Sequence, residues 1–557
     1  MKRVAWVRVA VVAATAVVIL LPVGILLHQS LLDGPFFQAS SRRSLEAFRF
    51  VLRDPDFFRA LWTTAALAIG MTAIAVPGGA LLAFALVRTD LPGRRWLEPL
   101  VLVPIFVSPV VLALGYIVTV GPVGFLTIWS KPLLGDAPWN LYSLGSIILI
   151  AGITHVPHAY LYAATALRSV GPELEEAARS AGAGPVKVAF DVSLPLIRPA
   201  LAYSAVLLAF LGFELFGLPL VLGDPEGRLV LATYLYKLTN KLGVPSYHLM
   251  AVVAVVIAAI SPPLVWLQRR LLGHQARWVT MRGKGMAARP LPLGRWRWVA
   301  LALVWGWLVA TVFLPLAGIT LRALVTSWGE GVRFAEVLTL DNFREVLRDD
   351  RALRAILNAI AIAVIGGAAA VAVYAGVGLA IHRWRSRLAL LLDYLVMIPR
   401  AMPGLIAGLA FLWVFLFVKP LSPLGGTLFA VWLAYSVVWF AYGNRIVSGA
   451  LMQVAPELEE AACSVGASPG RVIADVTLPL VRFGLLGAWL LVFCIFTREY
   501  SIGVYLYGPD TEVVGSLIVS LWGAGSMDLV AALSVINVLL VAVGLAVALR
   551  LGVRVHA

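Results

Sequence analysis

Charged side chains inside long apolar runs come first, because an ion in a bilayer is costly and is kept where it pairs, gates a path or meets cargo. Four stand out in this chain of 557 residues. Glu214 stands in Phe213-Glu214-Leu215-Phe216, and Arg498 and Glu499 stand at the equivalent depth of a later run, in Thr497-Arg498-Glu499-Tyr500. Arg400 stands in Pro399-Arg400-Ala401-Met402-Pro403, where two prolines are expected to break a helix and free backbone carbonyls. Two roles are open to them: candidate pathway or gate residues, or structural pairs such as Glu214 with Arg498 that hold two halves in register. His155, His158, Tyr160 and Tyr162 read as packing or interfacial anchors more than as cargo contacts. Cys463 falls in a polar loop and Cys494 in an apolar run, so the two form neither a metal site nor a disulfide framework. No cluster of His or carboxylates has ligand or nucleophile spacing, so neither catalytic nor metal residues are assigned and the chain reads as a non-catalytic subunit.

A second group gains its meaning from repetition. Residues 172–198 read PELEEAARSAGAGPVKVAFDVSLPLIR and residues 456–482 read PELEEAACSVGASPGRVIADVTLPLVR, identical at 18 of 27 positions with a constant offset of 284. Each copy opens with a proline suited to a first helical turn, Pro172 or Pro456, followed by glutamates that suit the positive end of a helix dipole. Leu174, Ala177, Ala178 and Ala181 then fall at i, i+3, i+4 and i+7, as do Leu458, Ala461, Ala462 and Val465, giving each short helix one small apolar face. Gly182 and Gly466 are expected to end these helices, since glycine takes positive φ readily. A surface helix with a flat apolar face and an acidic rim fits a groove in a partner. Retention of this segment while the surrounding runs have diverged favours a shared external constraint over packing within the chain.

The elements that must position these residues are membrane helices. Hydrophobic residues make up 61% of the chain and charged residues 13%, with a mean hydropathy of +0.92, which excludes an ordinary soluble protein. The apolar runs approach the roughly 20 residues that an α-helix needs to cross a bilayer and do not alternate as barrel strands do. Spans are expected at 5–27, 60–87, 98–120, 143–167, 197–221 and 247–268, then at 298–323, 353–381, 389–418, 425–449, 483–506 and 527–549. The fold class is an all-α polytopic membrane protein of about twelve spans in two parallel-repeat halves. The first half takes 1–275, with its loop near 168–195, and the second takes 298–557, with its loop near 452–479. Between them 276–297 is a basic linker. The match of Ser44-Leu45-Glu46-Ala47-Phe48 to Thr339-Leu340-Asp341-Asn342-Phe343 extends the duplication toward the start of each half.

The formal charge of +15 does not indicate nucleic acid, because the basic residues sit in short clusters between spans. Arg88, Arg94 and Arg95, then Arg168, Arg179 and Lys187, then Arg383, Arg385 and Arg387, then Arg550 and Arg554 all fall on one side if the amino terminus is cytoplasmic. That places both termini in the cytoplasm, with the linker facing anionic headgroups. Met1-Lys2-Arg3 and the run to Leu27 read as an uncleaved first helix, longer than a signal-peptide core and without a clear cleavage site.

Glu176-Ala177-Ala178 with Gly182 and Leu194-Pro195, and again Glu460-Ala461-Ala462 with Gly466 and Leu478-Pro479, resemble the EAA loop of type I ABC importer permeases, the inner-membrane components of binding-protein-dependent systems. The resemblance implies that each loop is a coupling helix docking into a cleft of an ATP-binding subunit, with Glu176 and Glu460 meeting basic groups and the glycines forming the turn. Two such helices imply two copies of that subunit. The chain has no G-x-x-x-x-G-K-[ST] loop, and Gly283-Lys284-Gly285 lacks the hydroxyl residue that reaches magnesium, so ATP and Mg are expected on the partner and no cofactor on this chain. The resemblance also implies a periplasmic or lipid-anchored solute-binding protein and a bacterial cytoplasmic membrane.

Residues 214–236 and 498–522, the fusion of two halves and the Pro-Arg-x-x-Pro-Gly run ending at Gly404 look like the ferric-iron branch of these permeases. Ferric iron is the cargo this implies, with thiamine, aminoethylphosphonate and polyamine as alternatives within the class. An ion-gradient-driven secondary transporter is the alternative of another class, and it has no need of duplicated docking helices.

Overall fold

The computed structural model describes residues 2–38, 40–135, 137–169, 173–240, 246–275, 290–384 and 386–550. Pro172, the Gly283-Lys284-Gly285 run and most of the expected linker, 276–289, lie outside them. Among the described residues the regular structure is entirely helical, with three isolated bridges and no strand.

Among the described residues ten helices are long and apolar enough to cross a membrane, and an eleventh span forms if one bent pair is counted. The bent pair is the ninth expected span, Arg387–Arg400 and Gly404–Phe417, which turn by 107°. Pro399 and Pro403 stand at that break, where their rings remove the backbone donors a continuous helix needs. The tenth expected span is a pair of shorter helices, Leu428–Val438 and Phe440–Leu451, interrupted at Trp439. The count thus falls short of twelve because the ninth and tenth spans are broken rather than missing. The fifth and eleventh spans end sooner than their hydropathy predicts, at Glu214 and Arg498. The apolar residues beyond them turn back into short helices, Gly217–Leu222 and Val514–Gly523.

The chain forms two compact units, Phe48–Thr339, called here the first-half unit, and Met1–Ala47 with Leu340–Ala557, the second-half unit. They are a different partition from the repeat. The first span, Lys2–Ser30, and its following loop join the second-half unit, where Phe37 stacks on Phe417 with centroids 4.4 Å apart. The seventh span, Trp296–Ala323, joins the first-half unit. There the Tyr116 hydroxyl donates to the Ala310 carbonyl at 2.7 Å, and a Cβ on Gly115 would lie 2.3 Å from the Pro315 carbonyl oxygen. Small residues allow this approach because, within lipid, close packing rather than water exclusion holds helices together.

The second span of each half begins in the same way. Asp54 accepts from the Asp56 amide at 3.0 Å ahead of Pro55–Ala83, and Asp349 accepts from the Arg351 amide at 2.9 Å ahead of Asp350–Ala361. Each carboxylate satisfies one of the donors a helix start leaves open.

Candidate functional site: two loop helices and a polar cluster at the helix breaks

The duplicated segments fold as the spacing predicts, into Glu173–Ser180 and Pro456–Ser464. Each ends in a glycine of positive φ, +86° at Gly182 and +89° at Gly466. The amides of Ala183 and Ala467 donate back to the carbonyls of Ala178 and Ala462, at 3.0 and 3.1 Å, and those of Gly182 and Gly466 donate to Arg179 and Cys463. This is the closure a left-handed glycine permits.

The expected apolar face lies open. Leu174 is 54% exposed, Leu458 49% and Val465 85%, and Ala177 and Ala461 are exposed beside them. Glu176 and Glu460 are exposed too, while Ala178 and Ala462 are half-buried. Cys463 is exposed on the second loop helix and Cys494 is buried in the eleventh span.

The acidic rim is not uniform, a point sequence reasoning missed. Glu175 turns inward: its Oε1 lies 3.2 Å from Arg88 Nε and accepts from the Ser193 hydroxyl at 2.7 Å. Arg88, the last residue of the second span, also donates through Nη2 to the Leu167 carbonyl at 2.7 Å. The second-half unit repeats the arrangement. Arg383 Nη2 donates to Glu459 Oε1 at 2.9 Å, its Nε lies 2.8 Å from Oε2, and the Thr477 hydroxyl donates to Oε1 at 2.9 Å. Ser193 and Thr477 each close a π-helical turn, 189–193 and 473–477, just before the prolines Pro195 and Pro479. The signal was available: the 284 offset relates Glu175 to Glu459 and Ser193 to Thr477, a hydroxyl kept in both copies.

Glu214, Arg400, Arg498 and Glu499 stand at helix ends or breaks rather than within continuous helices. Glu214 is the last residue of Leu194–Glu214 and Arg498 the last of Leu478–Arg498, and the 284 offset makes them equivalent. Leu215 and Glu499 follow in extended conformation. Glu499 is buried, and its Oε1 accepts from the amides of Tyr500, Ser501 and Ile502 at 3.1, 2.9 and 3.2 Å and from the Ser501 hydroxyl at 2.7 Å. Its Oε2 accepts from Trp439 Nε1 at 3.1 Å. The carboxylate thus satisfies a backbone that leaves helical geometry inside the bundle.

Arg400 lies in the 107° break, its guanidinium carbon 4.7 Å from the Tyr442 ring centroid. Tyr442 in turn lies 5.3 Å from Trp439. The second helix of the broken pair packs against the turn that Glu499 holds, since a Cβ on Gly404 would meet Ser501 Oγ at 2.5 Å and one on Gly408 the Ile502 carbonyl oxygen at 2.4 Å. Arg400 and Glu499 therefore belong to one polar cluster around the breaks of the ninth and eleventh spans.

The first half is built differently at the same positions. His155 and His158 stand where Trp439 and Tyr442 stand in the second half, and Leu215 stands where Glu499 does. The two imidazoles stack at 5.3 Å, and His155 Nδ1 lies 2.8 Å from the Ala151 carbonyl oxygen. Among the described residues no group of three His, Cys, Asp or Glu comes together as a metal site.

The family model for binding-protein-dependent transport system inner membrane components matches residues 75–273 and 370–556. The chain belongs to that family and carries its domain twice. It is 26% identical over 442 residues to the putative ferric transport system permease protein FbpB 1 of Haemophilus influenzae, covering 78% of this chain and 68% of the relative. The ferric transport system permease protein FbpB of Actinobacillus pleuropneumoniae is 25% identical over 450 residues, covering 79% of this chain and 63% of the relative. The matched region therefore spans about two thirds of the length of these relatives. The putrescine transport system permease protein PotI of Escherichia coli is 27% identical over 236 residues, 42% of this chain and 81% of the relative. The family and the apolar helices make the chain a multi-pass inner-membrane subunit.

Proposed function

We infer that this chain forms the translocation pathway of an ATP-driven ABC importer and that its cargo is ferric iron. The observation that carries the reading is the pair of loop helices, alike in length, glycine closure and open apolar face, within a chain that carries the permease domain twice. Each helix docks on one copy of a separate ATP-binding subunit, which holds ATP and Mg. Glu176 and Glu460 meet basic groups there, and Ala177, Ala178, Ala461 and Ala462 let the helix sit flush in a cleft. Gly182 and Gly466 turn the chain away from the contact. Closing and opening of the two subunits on ATP moves the spans between inward- and outward-facing states. Both termini and both loop helices face the cytoplasm, and a periplasmic or lipid-anchored binding protein delivers the cargo.

Ferric iron rests on the names of the two long relatives. Selection of the metal is the binding protein's task, and in the spans Glu214, Arg400, Arg498 and Glu499 act as pathway or gate residues or as the structure that holds the gate. The first test is ATP hydrolysis and cargo uptake in proteoliposomes containing the chain and its ATP-binding subunit, with candidate binding proteins loaded with ferric iron, thiamine, aminoethylphosphonate or putrescine. Stimulation by the iron-loaded protein alone, abolished by Glu176→Ala with Glu460→Ala, is the expected result. Stimulation by another loaded protein reassigns the cargo, and uptake that follows a proton or sodium gradient without ATP replaces the importer with a secondary transporter.

A further inference from the structure

The loop helices are not held by apolar burial. In Glu173–Ser180 the one buried side chain is Glu175, and in Pro456–Ser464 none is fully buried. What ties each helix sideways to the spans is one carboxylate. In the first-half unit three spans converge on it: Arg88 from the end of the second, Leu167 through Arg88 from the end of the fourth, and Ser193 from the foot of the fifth. In the second-half unit Arg383 and Thr477 do the same for Glu459.

We propose that Arg88–Glu175–Ser193 and Arg383–Glu459–Thr477 are the two transmission links that carry movement of each loop helix into the spans, the first stiffer than the second. The inference rests on the importer reading and names residues one position before the docking glutamates Glu176 and Glu460. A helix with no fully buried apolar side chain pulls on its neighbours chiefly through its polar anchors and its chain ends. The carboxylates are those anchors, and the hydroxyls of Ser193 and Thr477 join them directly to the π turns that open the fifth and eleventh spans. The stiffness differs because Arg88 and Glu175 are 4% and 6% exposed while Arg383 and Glu459 are 28% and 17% exposed. Water and salt weaken the second pair and reach the first far less. These are positioning residues: they act through the helix and do not touch ATP or cargo.

The test uses the full chain assembled with its ATP-binding subunit and loaded binding protein in proteoliposomes, reading cargo moved per ATP hydrolysed. Glu175→Gln, Glu459→Gln, Ser193→Ala and Thr477→Val should all still assemble with the ATPase, since these side chains face the spans. Cargo per ATP is expected to fall about ten-fold in the Glu variants, more for Glu175→Gln than for Glu459→Gln, a coupling loss of ordinary size. The exchange of Arg383→Glu with Glu459→Arg recovers most of it in the accessible pair. A nitroxide on Cys463, the exposed cysteine, should become more mobile in Glu459→Gln and regain its wild-type spectrum in the exchange. If Glu175→Gln does not fold, Ser193→Ala and the second-unit variants decide. An unchanged cargo-to-ATP ratio in folded Glu459→Gln and Ser193→Ala, or an unchanged nitroxide spectrum, overturns the proposal while the importer reading stands. A wild-type chain without ATP-driven uptake overturns both.

Discussion

Arg88 and Glu175 form an almost fully buried ion pair, Nε to Oε1 3.2 Å, while the pseudo-equivalent Arg383 and Glu459 pair at 2.8 Å where water reaches both. The same chemistry at two depths gives different energetics. Removing one partner of a buried pair leaves a charge without compensation, at a cost of about 3–5 kcal/mol, whereas a partly exposed pair, 28% and 17% open to solvent here, costs less because water compensates the charge left behind. Glu175→Gln is therefore expected to lower the thermal midpoint of the purified chain in nanodiscs clearly more than Glu459→Gln does. Equal shifts show that burial does not separate the two pairs.

Glu499 serves five donors with one carboxylate. Glu499→Leu strands buried amides and the Trp439 indole, each at about 1–3 kcal/mol, while Glu499→Gln retains one acceptor oxygen. The leucine variant should lose the thermal transition or shift it far down, and the glutamine variant should shift it less. A leucine variant as stable as wild type removes the capping role from this carboxylate.

Gly408 faces the Ile502 carbonyl oxygen, which a Cβ would approach to 2.4 Å. Gly408→Ala must push the broken ninth span away from the turn after the eleventh, an overpacking worth about 1–3 kcal/mol. Gly376→Ala, with open space around it, is the control and should be neutral in the same unfolding measurement.

At the loop helices the constraint is conformation rather than space. Gly182 and Gly466 have positive φ and nothing within 4 Å, so alanine there meets only backbone strain of about 1–2 kcal/mol. Gly182→Ala and Gly466→Ala should weaken ATP-dependent uptake several-fold without reducing the amount of chain in the membrane. Gly184→Ala, in open space without positive φ, should leave uptake unchanged.

Membrane orientation can be read at Cys463, because Cys494 is buried. A membrane-impermeant maleimide should label Cys463 in inside-out vesicles and spare it in intact spheroplasts. Labelling from the outside reverses the topology and removes the loop helices from any ATP-binding subunit.

Sequence alone determined the helical class, the duplication and the loop helices. These depend on local quantities: apolar run length against bilayer thickness, a constant 284-residue offset, and the proline, glutamate and glycine spacing that starts and stops a short helix. The break in the ninth span was equally legible, since Pro399 and Pro403 act on their own backbone. Tertiary structure decided what hydropathy averages conceal. A window over 197–221 cannot show that the fifth span stops at Glu214, because the apolar residues beyond it are as hydrophobic in a buried turn-back as in a span. Nor can local pattern assign the first span to the second-half unit, or tell Glu175 from Glu176 in a run of acids. That distinction depends on Arg88, 87 positions before Glu175 in the chain, and contacts of such separation exist only once the spans have packed.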